Sequence, residues 1–197
     1  TFSHRFGPYS PVPFIEPAAE HPEVIDVVRE AEEQQGFTFG GLWHSDFSFL
    51  PEPPMGSILY ALETPAHGGD TLFANQYLAL AQLSPGLRAM LGAVSGRHSA
   101  TNAYSPRMQA IHDRFVGMRV QTSSDADRVE CHPVIRTHPE TGRPALFVNA
   151  QYTVGLDGCY PHEVSGLLQM LFQHSTQAGI SMRWSWRPGD LVFWDNR

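Results

Sequence analysis

Cysteine is scarce in this chain. Two cysteines among 197 residues, Cys131 and Cys159, are too few for a disulfide framework, and both read as buried thiols. Long apolar runs are missing as well. No stretch of 18 or more apolar residues occurs, which excludes a membrane-spanning helix. The first seven residues, TFSHRFG, lack the basic start and apolar stretch of a secretory signal. Positive charge is also in short supply, with 13 Lys and Arg against 20 Asp and Glu and a net charge of −7. A duplex nucleic-acid binder needs a basic face that these residues do not supply. The expected partner is therefore a small molecule, with neither nucleic acid nor membrane, and the expected location is cytoplasmic.

Proline and histidine are plentiful, at 16 and 10 residues. Proline breaks helix interiors, so its spread argues against a helical bundle and for strands joined by turns. Residues 8–22 hold five prolines and read as extended or irregular chain. Glu23–Arg29 is β-branched and predicts a strand, followed by a polar turn over Ala31–Gly36. Phe37–Phe49 is aromatic and alternating and predicts one strand or two short ones. Gly56–Glu63 and Asp70–Ala74 predict strands, and Tyr77–Leu83 and Ser84–Leu91 predict helices, the second with Ser84 as cap and Pro85 in its first turn. Residues 105–130 are mixed and polar, which suggests a lid or mobile insert. His132–Arg136, Ala145–Val148, Ile180–Trp186 and Leu191–Trp194 predict strands. Val164, Leu167, Leu168 and Leu171 recur at helical spacing within Pro161–Gln173. The fold class expected is mainly β with flanking helices, a two-sheet sandwich or jelly roll, in one domain over residues 1–197.

Trp43-His44-Ser45-Asp46 carries the chemistry. In extended chain, side chains at i and i+2 share a face, so His44 and Asp46 would present an imidazole beside a carboxylate. That is two thirds of a 2-His-1-carboxylate set, the arrangement that holds iron(II) with open positions. An H-x-D tripeptide is common on protein surfaces. Here it lies among Phe37, Phe39, Trp43, Phe47 and Phe49, where burying both groups unpaired would be costly.

WHSDFSFLPEPPMGSILYALETPAHGGDTLFAN, which contains His44 as its second residue, resembles the TauD/TfdA-like family of taurine and 2,4-dichlorophenoxyacetate dioxygenases. So do HPVIRTHPETGRPALFVN from His132 to Asn149, RWSWRPGDLVFWDNR at the C-terminus, and HRFG at His4–Gly7. The blocks come in the family's order along the whole chain. The resemblance implies a double-stranded β-helix (jelly-roll) fold and an iron(II)- and 2-oxoglutarate-dependent dioxygenase. Such an enzyme uses Fe(2+), 2-oxoglutarate and O2, and releases succinate and carbon dioxide as it hydroxylates a C–H bond. It implies His44 and Asp46 as metal ligands, and Thr71 of the Gly68-Gly69-Asp70-Thr71 block as the hydroxyl that meets the C5 carboxylate of 2-oxoglutarate. The family's second histidine ligand and its 2-oxoglutarate arginine follow the WDNR block and would lie beyond Arg197. The chain is accordingly expected to be truncated at both ends. By family analogy it would be a homo-oligomer, a dimer or tetramer.

The resemblance also speaks to substrate. The sulfonate-holding histidine of the taurine enzymes aligns with Val12, and the polar residues before their WH pair align with Phe39 and Gly40. Phe47, directly after Asp46, and Phe147 are candidate substrate walls. These substitutions favour a bulky apolar body on a small organic acid, sulfate ester or sulfonate. His132 and His138 read as structural, and His67, His98 and His112 as surface or loop residues. Two other readings stay open: a catalytically dead jelly-roll binding module, and a cupin-type metal hydrolase or isomerase. The GGDT and WDNR blocks speak against the second.

Overall fold

A computed structural model describes residues 2–10, 12–30, 33 and 38–197. Among them are nine strands: β1 (Gly56–Tyr60), β2 (Thr71–Ala74), β3 (Ser95–Ser99), β4 (Val129–Pro133), β5 (Ile135–Thr137), β6 (Pro144–Leu146), β7 (Thr153–Leu156), β8 (Ser181–Trp184) and β9 (Leu191–Asp195). Five α-helices accompany them: α1 (Gln76–Ala81), α2 (Pro85–Leu91), α3 (Thr101–Tyr104), α4 (Gln109–His112) and α5 (Pro161–His174). Every strand pairing is antiparallel. β1 pairs with β9, β2 with β8, β3 lies between β4 and β7, and β5 pairs with β6. The pairing is nested: the first strand meets the last, and the second meets the last but one. Residues far apart in sequence are thereby brought to one place, which positions the site described below.

Local signals explain the helices. Asn75 caps α1 by accepting from the Leu78 N–H, and Ser84 caps α2 by accepting from the Leu87 N–H. Pro161 opens α5, and Glu163 reaches back to the Tyr160 N–H at 2.7 Å. The apolar stripe of α5 buries Val164, Leu168 and Leu171. They join Ala79 and Leu80 from α1, Leu91 from α2, Leu83 between the two helices, and Val134, Leu146, Val148 and Leu156 from the sheet side, in one aliphatic core. His174 near the end of α5 pairs its Nε2 with the Ala79 carbonyl at 2.7 Å, tying α5 to α1. A second core is aromatic. Phe49, Tyr104 and Tyr152 are buried in it with Ile15, Met118 and Val120, and Val12, Phe14, Phe39, Phe47 and Phe115 pack around them.

Several expectations need correction. Residues 24–30 form no strand: Val24, Val27 and Val28 are exposed, and the backbone closes a turn in which Ala18 bonds to Val24. The turn placed at Ala31–Gly36 and the start of the Phe37 strand fall on residues 31, 32 and 34–37, outside the described residues. From 38 to 49 the chain is turn and irregular rather than strand, because Gly40 and Phe47 adopt positive φ (68° and 52°), which breaks the extended alternation. Residues 105–130, unassigned from sequence, include α4 and short 3₁₀ turns and bury Met118, Val120 and Ala126. Cys131 is exposed on β4 and Cys159 half-buried, so neither is the buried thiol expected; both are free. His98 and His112 are buried rather than on the surface, whereas His67 is exposed as expected. Among the described residues no helix is long and apolar enough to cross a membrane.

Candidate metal centre

His44 and Asp46 meet. His44 Nε2 stands 3.1 Å from Asp46 Oδ1. The segment carrying them is an irregular approach to a turn, so local chain path and long-range hydrogen bonds hold the pair, not strand pleat. His44 Nδ1 lies 2.6 Å from the Leu42 carbonyl. A carbonyl only accepts, so Nδ1 carries a hydrogen, and in the neutral ring Nε2 is a bare lone pair. That lone pair would face a carboxylate oxygen across 3.1 Å unless a proton or a cation stands between them.

The protonation balance reflects this. Burial works against charge on His44, yet its hydrogen bond to Asp46, the carboxylate's charge and the Leu42 carbonyl hold its pKa above the ordinary value. Burial would raise the Asp46 pKa, but hydrogen bonds from His44, Ser57 and Asn196, with the His44 charge, pull it below the ordinary value. Without a metal both shifts favour the charged pair. A divalent metal can replace the bridging proton: two donors bound side by side to one octahedral ion, at about 2.1 Å each, lie about 3.0 Å apart. An imidazole nitrogen with a carboxylate oxygen suits a first-row divalent ion such as iron(II). The two side chains retain 25% and 19% exposure, so a metal and a co-substrate can reach them. Among the described residues no group of three or more His, Cys, Asp or Glu side chains gathers as a metal site.

The outer oxygen of Asp46 is held from the far end of the chain. Oδ2 accepts from Ser57 Oγ at 2.5 Å and from Trp194 Nε1 at 3.2 Å. Asn196, which is buried, accepts the Asp46 N–H on Oδ1 at 3.2 Å and the Ser45 hydroxyl on its backbone carbonyl at 2.6 Å. The sequence reading missed Ser57, Trp194 and Asn196 as neighbours of Asp46. Their only signal was membership of the GSILY and WDNR blocks.

Thr71 begins β2. Its hydroxyl oxygen accepts from Trp186 Nε1 at 2.9 Å. The indole N–H can only donate, so the Thr71 hydrogen is free to point elsewhere. Thr71 and Phe73 share one face of β2, and the Phe73 ring lies 5.4 Å from Trp194, which also bonds Asp46. Thr71 therefore lies on the strand face that leads to Asp46.

The aromatic core forms the other wall. The Tyr152 ring stands 6.0 Å from His44 and 4.9 Å from Phe49, and Phe47 is 5.9 Å from Phe49. Val12 and Phe47 pack against this cluster and stay partly exposed. Tyr104 and Tyr152 are neutral phenols, their pKa values raised first by burial, Tyr104 to about 12. Phe147 sits elsewhere. It is buried among His98, His132 and the Arg136 guanidinium, a core setting that offers little surface to a ligand. His132 bonds the Leu50 carbonyl. His138 accepts backbone N–H groups from Glu140 and Thr141 and pairs with Asp195. Both histidines hold loops in place.

The chain belongs to the taurine catabolism dioxygenase TauD, TfdA family, whose model matches residues 1–197. It is 35% identical over 173 residues to the alpha-ketoglutarate-dependent 2,4-dichlorophenoxyacetate dioxygenase of Cupriavidus pinatubonensis, covering 86% of this chain and 56% of that protein. It is 30% identical over 206 residues to pentalenolactone F synthase of Streptomyces arenae, covering 98% of this chain and 68% of that protein. The crystal structure of a taurine dioxygenase from Burkholderia xenovorans superposes with a TM-score of 0.72 at 31% identity, over 94% of this chain and 56% of that one. The chain spans roughly half the length of the curated relatives it matches, from 38% to 68%.

Proposed function

We propose that residues 1–197 form one catalytic domain, built on a double-stranded β-helix, of an iron(II)- and 2-oxoglutarate-dependent dioxygenase. His44 and Asp46 supply two of the iron's ligands. The observation that carries this reading is the 3.1 Å approach of His44 Nε2 to Asp46 Oδ1, with Nδ1 already committed to the Leu42 carbonyl. The nested antiparallel pairing, first strand with last, supports the β-helix. The relatives' names supply the co-substrate, since alpha-ketoglutarate is 2-oxoglutarate.

Each residue then has a physical task. The Leu42 carbonyl fixes the His44 tautomer so that Nε2 faces the metal. The Thr71 hydroxyl, its oxygen engaged by Trp186, donates its hydrogen to the C5 carboxylate of 2-oxoglutarate. Phe47, Val12 and the Tyr152 edge exclude water and receive the apolar body of the substrate. When bound, iron(II) supplies oxygen activation coupled to decarboxylation of 2-oxoglutarate to succinate, with hydroxylation of a substrate C–H. The substrate we infer is an organic acid, sulfonate or sulfate ester with a bulky apolar body. The enzyme would work as a homo-oligomer in the cytoplasm. Phe147, given its buried setting, is assigned to the core.

The test is succinate release by the full-length protein with iron(II), ascorbate and 2-oxoglutarate, across aryloxy acids, alkyl sulfates and taurine. Succinate is expected, most with the bulky apolar acids or esters. No succinate from iron-loaded protein with any of them overturns the reading.

A further inference from the structure

Asp46 has two oxygens, and the fold treats them differently. Oδ1 faces His44, while Oδ2 is occupied by Ser57 and Trp194, with Asn196 Nδ2 a longer third donor at 3.5 Å. Ser57 on β1 and Trp194 on β9 are direct cross-strand partners in the antiparallel ladder. Side chains at such paired positions leave the sheet on the same face, so the ladder register aims both donors at one oxygen.

The direction of the Ser57 bond is fixed by Asn196. The Asn196 side-chain oxygen accepts the Asp46 N–H at 3.2 Å, which settles which end of the amide is nitrogen. That nitrogen lies 3.0 Å from Ser57 Oγ and can only donate. Ser57 therefore accepts from Asn196, and its single hydrogen goes to Asp46 Oδ2. The shorter path runs one way, from Asn196 through Ser57 to Asp46, beside a longer direct bond from Asn196 to Oδ2 at 3.5 Å.

We propose that Ser57 is a positioning residue for the metal centre, donating to Asp46 Oδ2 so that the carboxylate meets iron through Oδ1 alone. The inference rests on the reading of His44 and Asp46 as iron ligands. With Oδ2 spent on protein donors, the carboxylate cannot rotate to chelate with both oxygens without breaking the bonds from Ser57 and Trp194 and the longer one, 3.5 Å, from Asn196. The metal then keeps an extra position for co-substrate or oxygen. Losing a hydrogen-bond partner of a metal-ligating carboxylate typically weakens metal binding by about 10–100-fold.

The experiment compares the full-length protein with its Ser57→Ala, Ser57→Cys and Ser57→Thr variants. Anaerobic titration with manganese(II) gives the affinity, and the ligand-field absorption of bound cobalt(II) reports the coordination. Ser57→Ala and Ser57→Cys should bind manganese about tenfold more weakly or worse and change the cobalt spectrum, since a thiol is a poor donor. Ser57→Thr, which keeps the hydroxyl and suits a strand, should restore both. Thermal unfolding of each variant reports whether it is folded. Wild-type affinity and spectrum in both Ser57→Ala and Ser57→Cys would overturn the role, as would a folded Ser57→Thr variant as weak as Ser57→Ala. Asp46→Ala and His44→Ala are titrated alongside. If they too bind like wild type, the metal reading itself fails; if they alone lose metal, only the Ser57 role does.

Discussion

The two cores of this protein are made of different residues for different work. The aliphatic core, around Leu91, Leu146 and Leu171, joins three helices to the sheets through aliphatic side chains. The aromatic core, around Phe49, Tyr104 and Tyr152, reaches His44 with the edge of a ring and leaves Phe47 and Val12 partly open. Closed aliphatic packing serves stability. An aromatic cluster with one open side beside an imidazole and a carboxylate is where the proposed function places its ligand. The difference implies that damage to the two regions should separate into lost stability and lost chemistry.

The largest separation is expected at the proposed metal ligands. His44→Ala should abolish iron binding and succinate formation while moving the melting temperature little, since its side chain is partly exposed and outside both cores. Equilibrium metal titration and a thermal scan check both halves. Leu171→Ala should do the reverse. Leu171 is fully buried, and its truncation should cost about 2–5 kcal/mol, lowering the melting temperature by roughly 5–15 °C. The surviving folded enzyme should keep its metal affinity. Phe47→Ala is a smaller perturbation on the aromatic side. It should raise KM for apolar substrates about tenfold, by roughly 1.5 kcal/mol of lost contact, and leave 2-oxoglutarate turnover without substrate intact.

How much of this was legible in the sequence depends on how local the signal is. α5, with its stripe of Val164, Leu168 and Leu171, and strands β1, β8 and β9 are local patterns and could be read directly. β3 was not read because SGRHS looks like a polar loop. Its His98 is buried, and its Nδ1 meets the hydroxyl of Ser48, fifty residues away, at 3.1 Å. The adjacency of His44 and Asp46 followed from their spacing, but for a different reason than strand alternation: the chain there is irregular, and bonds from the Leu42 carbonyl, Ser57, Trp194 and Asn196 hold the pair. Ser57, Trp194 and Asn196 could not be placed beside Asp46, because only strand pairing between β1 and β9 brings them there.

The buried histidines give the smallest predicted effect at neutral pH. Burial, with the nearby His132 and Arg136, pushes His98 down to about 3, although the Phe147 backbone opposes this. The folded state therefore keeps His98 neutral while the unfolded chain takes up a proton below about pH 6.5. The His98 contribution to stability should be constant above that pH and fall by about 1.4 kcal/mol per unit as pH drops from about 6.5 towards 3. Denaturant unfolding across this range, with a His98→Gln variant showing a shallower fall, checks the sign. Metal binding should weaken in acid for a separate reason, because protons compete for His44 Nε2, whose pKa is raised.

The most direct measurement is iron-dependent succinate formation from 2-oxoglutarate by the full-length protein and by its His44→Ala variant, each confirmed folded. Succinate from the first and none from the second is the predicted result. Equal succinate from both would contradict a metal centre built on His44 and Asp46.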